Sequence, residues 1–253
     1  MSGASPWKAW LCGLLEGDSR FLRRHPDAAC RAFDNLNQCA RTGMACPAHP
    51  ETRAFIEAIT RALVERYPID GIHLDFIRYP GLRACSCPRC REEMSRDMGA
   101  RPEDIVTDAN ARRWWVARRK ESITRLVESV AEIAHQAGKN VSAAVFCDYP
   151  RALDEVGQNW ADWCQRGLVD MVVPMNYKAR LEDFLAAALD HRALLGENAG
   201  IVEGIAKTTE TISLSVADLV AQVRAARDLG CGASIFAARS LTDDDLGALR
   251  TLR

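Results

Sequence analysis

Six short apolar runs alternate with longer helical patterns, and this alternation limits the chain to folds built on a parallel sheet. The runs cover 9–14, 71–76, 141–146, 171–175, 200–204 and 233–237, each bounded by Gly, Pro, Asp or Asn. They are brief and almost continuously hydrophobic, as strands buried on both faces are. Between them, 50–67 places Phe55, Ile56, Ile59, Ala62 and Leu63 on one helical face. The stretch from about 110 to 137 does the same with Ile123, Leu126, Val127, Val130 and Ile133. Ser215 is placed to cap a helix that carries Leu219, Val220, Val223 and Ala226 and stops at Leu229-Gly230. A last helix is expected from near Thr242, with Leu246 and Leu249 on it.

A parallel sheet is either closed or open. An open doubly wound sheet usually brings a glycine-rich phosphate loop, and the chain has no GxGxxG or Walker pattern. The expected fold is therefore α/β, of the (β/α)8 TIM-barrel type, in one domain spanning 1–253. Six strands are visible where a complete barrel needs eight. The first begins almost at the N-terminus, so the expectation is a barrel incomplete at that end, its missing pair lying before Met1.

Bulk properties exclude several classes. The chain has 253 residues, 48% of them hydrophobic, which suffices for a full core. A net charge of -1 gives no footprint for nucleic acid, and Arg112-Arg113 and Arg118-Arg119-Lys120 read as the wet face of a helix. No apolar window long enough to span a membrane exists. The N-terminus lacks the regions of a signal peptide, so the expected location is cytoplasmic. Oligomeric state leaves no signature.

Ten cysteines are many for this length, and three lie within six residues, at Cys85, Cys87 and Cys90. A chain this large is no small disulfide scaffold, so a reduced compartment with one metal site is the better reading. Thiolates bind zinc tetrahedrally, and this spacing supplies three from one turn. The fourth is expected from Cys46, which shortly precedes the helix leading into the second strand; Cys39 and His49 are rivals. Four thiolates close the shell, so the implied Zn2+ is structural, pinning two long loops. Catalytic metal chemistry would require an open ligand position.

In such barrels the chemistry sits at the C-terminal ends of strands. Asp75, Asp148, Asn176, Glu203 and Arg239 occupy those ends, whereas Asp70 and Asp170 precede strands and read as structural. Strand alternation makes His73 and Asp75 point the same way, opposite Ile72, Leu74 and Phe76. Glycoside cleavage needs two carboxyl groups. Asp75 is the first candidate, and either Asp148 or Glu203 serves as the second. The bland alternatives are an Asp75 paired with Arg78 or His73, a solvated or capping Asp148, and a Glu203 buried against Lys207 or Arg239. His73, Arg78, Tyr79, Asn176, Tyr177 and Arg239 are the candidate substrate contacts. Trp7, Trp10, Tyr79 and Tyr149 have the rings to stack on sugar faces. Trp114, Trp115, Trp160 and Trp163 read as helix packing.

The segment from Cys46 through Asp70-Gly71-Ile72-His73-Leu74-Asp75 to Arg78-Tyr79-Pro80 resembles the glycosyl hydrolase-like family 10 proteins. Trp160 to Trp163 and Gly167 to Tyr177 are similar to another strand motif of that family. The resemblance covers roughly 8 to 240 and implies a TIM barrel with glycoside hydrolase activity on a carbohydrate substrate. The family often shows two adjacent acids after the histidine; here Phe76 takes the second position, and the family's first two strands find no counterpart. The cysteine cluster is similar to the zinc site of family 42 β-galactosidases, in which an upstream cysteine corresponding to Cys46 completes the set. That family's paired glutamates are not matched at Asp75. The expected function is hydrolysis of the O-glycosidic bonds of an oligo- or polysaccharide. The alternative is a carbohydrate-binding pseudoenzyme.

Overall fold

The computed structural model describes residues 8–14, 19–34 and 43–252. Its strands are β1 (Lys8–Cys12), β2 (Gly71–Asp75), β3 (Asn140–Phe146), β4 (Met171–Met175), β5 (Val202–Ala206) and β6 (Gly232–Phe236). Each coincides with an expected run to within two residues, and the largest offset of a whole strand is at β5. Pairing is parallel and between sequence neighbours: β1 with β2, β2 with β3, and β5 with β6, with a parallel bridge from Val172 to Ile201. Sequential parallel order is the barrel arrangement; a doubly wound sheet would reverse direction at a switch point.

The chain falls into two compact units, one running to Ala143 and including Tyr149–Asn159, the other made of Ala144–Asp148 and Trp160–Arg253. In the first, helices α1 (Arg20–Arg24), α2 (Pro50–Arg66), α3 (Pro88–Met98) and α4 (Ala109–Gln136) accompany the strands. A short turn, α5 (Tyr149–Arg151), leads into a π turn at Ala152–Val156. Pro50 begins α2, and His49 caps it by accepting from the Glu51 N–H. Asp108 caps α4 through the N–H groups of Asn110 and Ala111. The expected stripe on α4 is buried, from Ile123 through Leu126, Val127 and Val130 to Ile133. Trp115 packs with Met94, Ile105 and Ala111 in a satellite core that Trp114 flanks. Gly71 is needed because a Cβ there would sit 2.5 Å from the Asn140 carbonyl oxygen.

The described residues between β1 and α2 are tied through their backbone. Ala29 bridges Ala45, Ala32 bridges Ala84, and the Cys30 and Cys46 N–H groups bond to the carbonyls of Met44 and Ala28. These ties hold them to one another and to the segment following β2.

In the second unit α6 (Trp160–Gln165), α7 (Leu181–Leu195), α8 (Val216–Asp228) and α9 (Asp243–Arg250) surround β4, β5 and β6. Ser215 caps α8 and α9 starts next to Thr242, as the sequence predicts, and Thr242 and Asp245 cap α9 reciprocally. Trp160, Trp163 and Phe184 are fully buried. Lys207 reaches Asp245 at 2.8 Å inside the unit. Among the described residues no helix is long and apolar enough to cross a membrane.

Candidate functional site

Asp75 ends β2, and its surroundings are built by three adjoining strands. Register pairs Trp10 of β1 with His73 of β2, Cys12 with Asp75, and His73 with Ser142 of β3. These side chains therefore share one face of the sheet, while Ile72 and Leu74 are fully buried on the other. The Asp75 carboxylate accepts from the Phe76 N–H at 2.7 Å on one oxygen and from the Trp10 indole N–H at 3.2 Å on the other. The indole is 58% exposed, and its ring lies 4.4 Å from the His73 ring.

His73 is buried. Its Nδ1 meets the Ser142 hydroxyl at 2.9 Å, and its Nε2 has no hydrogen-bond partner among the described residues. Burial pushes its pKa down to about 4 against the pull of the Asp75 charge, so the ring is neutral at pH 7. An unpartnered buried nitrogen is costly and calls for a partner such as a water, an ion or a ligand.

Phe76 has φ of 52°, the only positive φ outside glycine among the described residues. Left-handed backbone at a bulky residue is strained and is characteristic of functional turns. Here it turns the chain sharply straight after Asp75. Arg78 follows, its guanidinium 5.0 Å from the Phe76 ring centroid and donating to the Tyr79 carbonyl at 3.3 Å. Desolvation lowers the Arg78 pKa, and the Asp75 charge partly offsets this.

Tyr79 corrects the expectation of a substrate contact. It is 1% exposed, packed under the Arg119 guanidinium at 4.6 Å, with its N–H bonded to the Val156 carbonyl. The turn at Phe76 carries it away from the face that Asp75 occupies. Arg119 is itself buried and donates to the carbonyls of Gly81, Asp154 and Glu155, so it ties the post-β2 segment to the π turn. Tyr149 is half-buried, and its hydroxyl donates to Asn159 at 2.6 Å.

Cys46, Cys85, Cys87 and Cys90 are buried together, with all four sulfurs within 4.8 Å of one another. Cys46 and Cys90 are 3.6 Å apart, close to the edge of about 3.8 Å in a tetrahedron with metal–sulfur bonds of about 2.3 Å. Backbone N–H groups of Arg31 and Cys87 donate to the Cys85 sulfur, both at 3.4 Å. Contacts from Cys85, Cys87 and Cys90 raise the Cys46 pKa well above the usual thiol range. Burial raises that of Cys85, but hydrogen bonds from Cys30, Cys46, Cys87 and Cys90 draw it well below. Four thiols this close cannot all ionise without a cation between them, and the set fits a metal ion. His49 is engaged instead as a helix cap facing Asp27, and Cys39 and Trp7 lie outside the described residues.

In the second unit Glu203 is fully buried. Its oxygens take His191 Nδ1 at 2.9 Å and the Asn176 amide at 3.0 Å. Asn176 is fully buried too and donates to the Phe184 carbonyl; His191 Nε2 meets the Cys147 carbonyl at 2.8 Å. Burial lowers the His191 pKa, but bonds to Cys147 and Glu203 outweigh this and bring it to about 10. This corrects the readings of Glu203 and Asn176 as substrate-facing. β5 starts at Val202 rather than at residue 200, so Glu203 enters near the strand's beginning and not at its C-terminal end. Its partner is also neither Lys207 nor Arg239. His191 was not singled out from the sequence, where it is one histidine within an amphipathic helix. Tyr177 is half-buried and stacked 6.0 Å from Phe236, and Arg239 and Asp148 are exposed.

The sequence pattern of the family Glycosyl hydrolase-like 10 matches residues 17–202. The chain belongs to the glycosyl hydrolase-like 10 family. The match contains Asp75 and all four clustered cysteines, while Trp10 precedes it. No protein in the curated set matches the sequence. Among solved structures, the PgaB (BpsB) glycoside hydrolase domain from Bordetella bronchiseptica is similar with a TM-score of 0.69 at 15% identity, over 95% of this chain and 71% of that one. An α-L-fucosidase, isoenzyme 2 from Paenibacillus thiaminolyticus, gives 0.58 at 18% identity, over 94% of this chain and 36% of the fucosidase. Ega3 from Aspergillus fumigatus, solved in complex with galactosamine, gives 0.50 at 10% identity, over 90% and 72%. At these identities the likeness is one of fold, an incomplete TIM-barrel type of this glycoside hydrolase-like family.

Proposed function

We propose that this chain cleaves O-glycosidic bonds of an oligo- or polysaccharide, with Asp75 as a reacting carboxylate. The observation that carries this reading is the arrangement of Asp75 between an exposed indole and a neutral, half-partnered histidine, followed by the strained turn at Phe76. The Trp10 ring offers a face for a sugar, as amphipathic aromatic rings do. His73, neutral and buried against the Trp10 ring, backs that face, and its Nε2 becomes available to a sugar hydroxyl only if the indole moves aside on binding. Both Asp75 oxygens accept N–H bonds, which fits attack on the anomeric carbon or activation of water. Glu203 is sequestered, and Asp148, exposed just past β3, is the other strand-end acid whose substitution by Asn would show whether it takes part.

The four cysteines are assigned to Zn2+, the usual occupant of a closed tetrathiolate shell. A metal there holds the post-β1 excursion against α3 and takes no part in bond cleavage. The test is release of reducing ends from a panel of defined glycans by wild type and Asp75→Asn. The variant should lose about 10²–10⁴-fold in rate while still binding glycan. Phe76 in place of a second adjacent acid favours one rival, a binder without activity. Glycan binding with no reducing ends released would establish that rival.

A further inference from the structure

A cavity of about 120 Å³ lies in the first unit, lined by Arg53, Arg89, Arg118, Arg125, His49 and Ser122 among others. No carboxylate is among its lining residues. In a chain of net charge -1, four guanidinium groups around one hollow are a local excess. Three elements deliver them. Arg53 lies in the first turn of α2, Arg89 in the first turn of α3, and Arg118 and Arg125 are seven residues apart on one face of α4. The cysteine centre joins two of these elements: Cys46 directly precedes the rim at Pro47, Arg89 directly precedes Cys90, and the two sulfurs are 3.6 Å apart.

The arginines are steadied by carboxylates that do not line the cavity. Glu93 sits 3.0 Å from both Arg89 and Arg118. Glu57 is 3.7 Å from Arg53, and Glu121 pairs with Arg118 and Arg125. These three carboxylates, and Asp27 beyond His49, lie outside the lining, so the guanidiniums face the hollow with no negative group opposite them. The start of the 17-residue α2 adds partial positive charge at the same place. His49 is occupied on both ring nitrogens, by the Glu51 N–H and by Asp27, so the arginines supply the free donors.

We propose that this cavity binds an oxyanion, a phosphate, sulfate or carboxylate group, either as a free ion or carried on an acidic glycan. The proposal stands independently of the chemistry at Asp75. It is tested by titrating inorganic phosphate into the purified full chain by calorimetry and ³¹P NMR, alongside an Arg53→Gln/Arg125→Gln double variant. Both side chains are about half exposed, so circular dichroism and melting of the double variant should match wild type. Phosphate should bind wild type, bind more weakly as salt is added, and lose about tenfold or more in affinity in the variant. A second arm compares an oligogalacturonate with a neutral oligosaccharide of equal length. Binding of the acidic chain alone, through the same arginines, assigns the oxyanion to a glycan; binding of phosphate alone assigns it to a free ion. Absence of binding by either in the millimolar range, or binding that the double variant leaves unchanged, overturns the proposal.

Discussion

Glu203→Gln separates two roles that the sequence leaves open. In the structure Glu203 and His191 form a buried ion pair, and the Asn176 amide completes it. Glutamine keeps the shape but removes the charge and sets an NH2 group against a donor on one side. Breaking a buried pair by altering one partner costs about 3 kcal/mol or more. For a chain of this length that corresponds to a fall in Tm of about 6–12 °C. The pair also leaves a pH signature. The His191 pKa of about 10 lies above its ordinary value of 6.5, so its contribution is fully present below about pH 6.5 and fades as pH rises towards 10. Over that window wild-type stability should fall with a contribution of at most about 1.4 kcal/mol per pH unit from this group. In Glu203→Gln the contribution should shrink and its upper limit move to lower pH, because only the bond to Cys147 then opposes burial. Urea unfolding followed by circular dichroism across this pH range measures both effects. Equal stability and equal pH dependence in the two proteins would refute the buried anchor. Lost glycan cleavage with unchanged stability would instead make Glu203 a reacting acid.

Other residues carry sharper local predictions. Phe76→Gly relieves left-handed backbone worth about 1 kcal/mol, so the melt should hold or rise, while turnover falls as the turn behind Asp75 loosens; kinetics and calorimetry on one preparation check this. Trp10→Ala should raise KM for glycans more than it lowers kcat, because the exposed ring binds rather than reacts. Gly71→Ala drives a methyl group to 2.5 Å from the Asn140 carbonyl oxygen and should cost about 2 kcal/mol, read by urea unfolding.

What the sequence discloses follows the reach of each rule. Alternation within β2 correctly puts His73 and Asp75 on one face, because a period of two is a local property of the chain. Cys46 is legible as the partner of Cys85, Cys87 and Cys90 because thiolates must be brought together and α2 leads back to β2. Depth along a strand is not legible in the same way. A shift of two residues at the start of β5 moves Glu203 from a strand end to a buried position, and hydrophobicity alone does not fix that start. The burial of Tyr79 is not legible either, because nothing in Phe76-Ile77-Arg78 announces a left-handed turn at a phenylalanine. The bond from Trp10 to Asp75 spans 65 residues and depends on strand register, which only the folded sheet supplies. The arginine cavity gathers residues from three helices; of these only Arg118 falls in a run that the sequence marks, and there it reads as the wet face of a helix.

The cysteine centre frames the loops beside the Asp75 strand. The direct measurement is elemental analysis of metal per chain on purified wild type and Cys46→Ser, with thermal melting of both. A structural tetrathiolate centre predicts about one zinc per wild-type chain, and its loss together with several degrees of Tm in the variant. A folded wild type that carries no metal and melts at the same temperature as Cys46→Ser would contradict it.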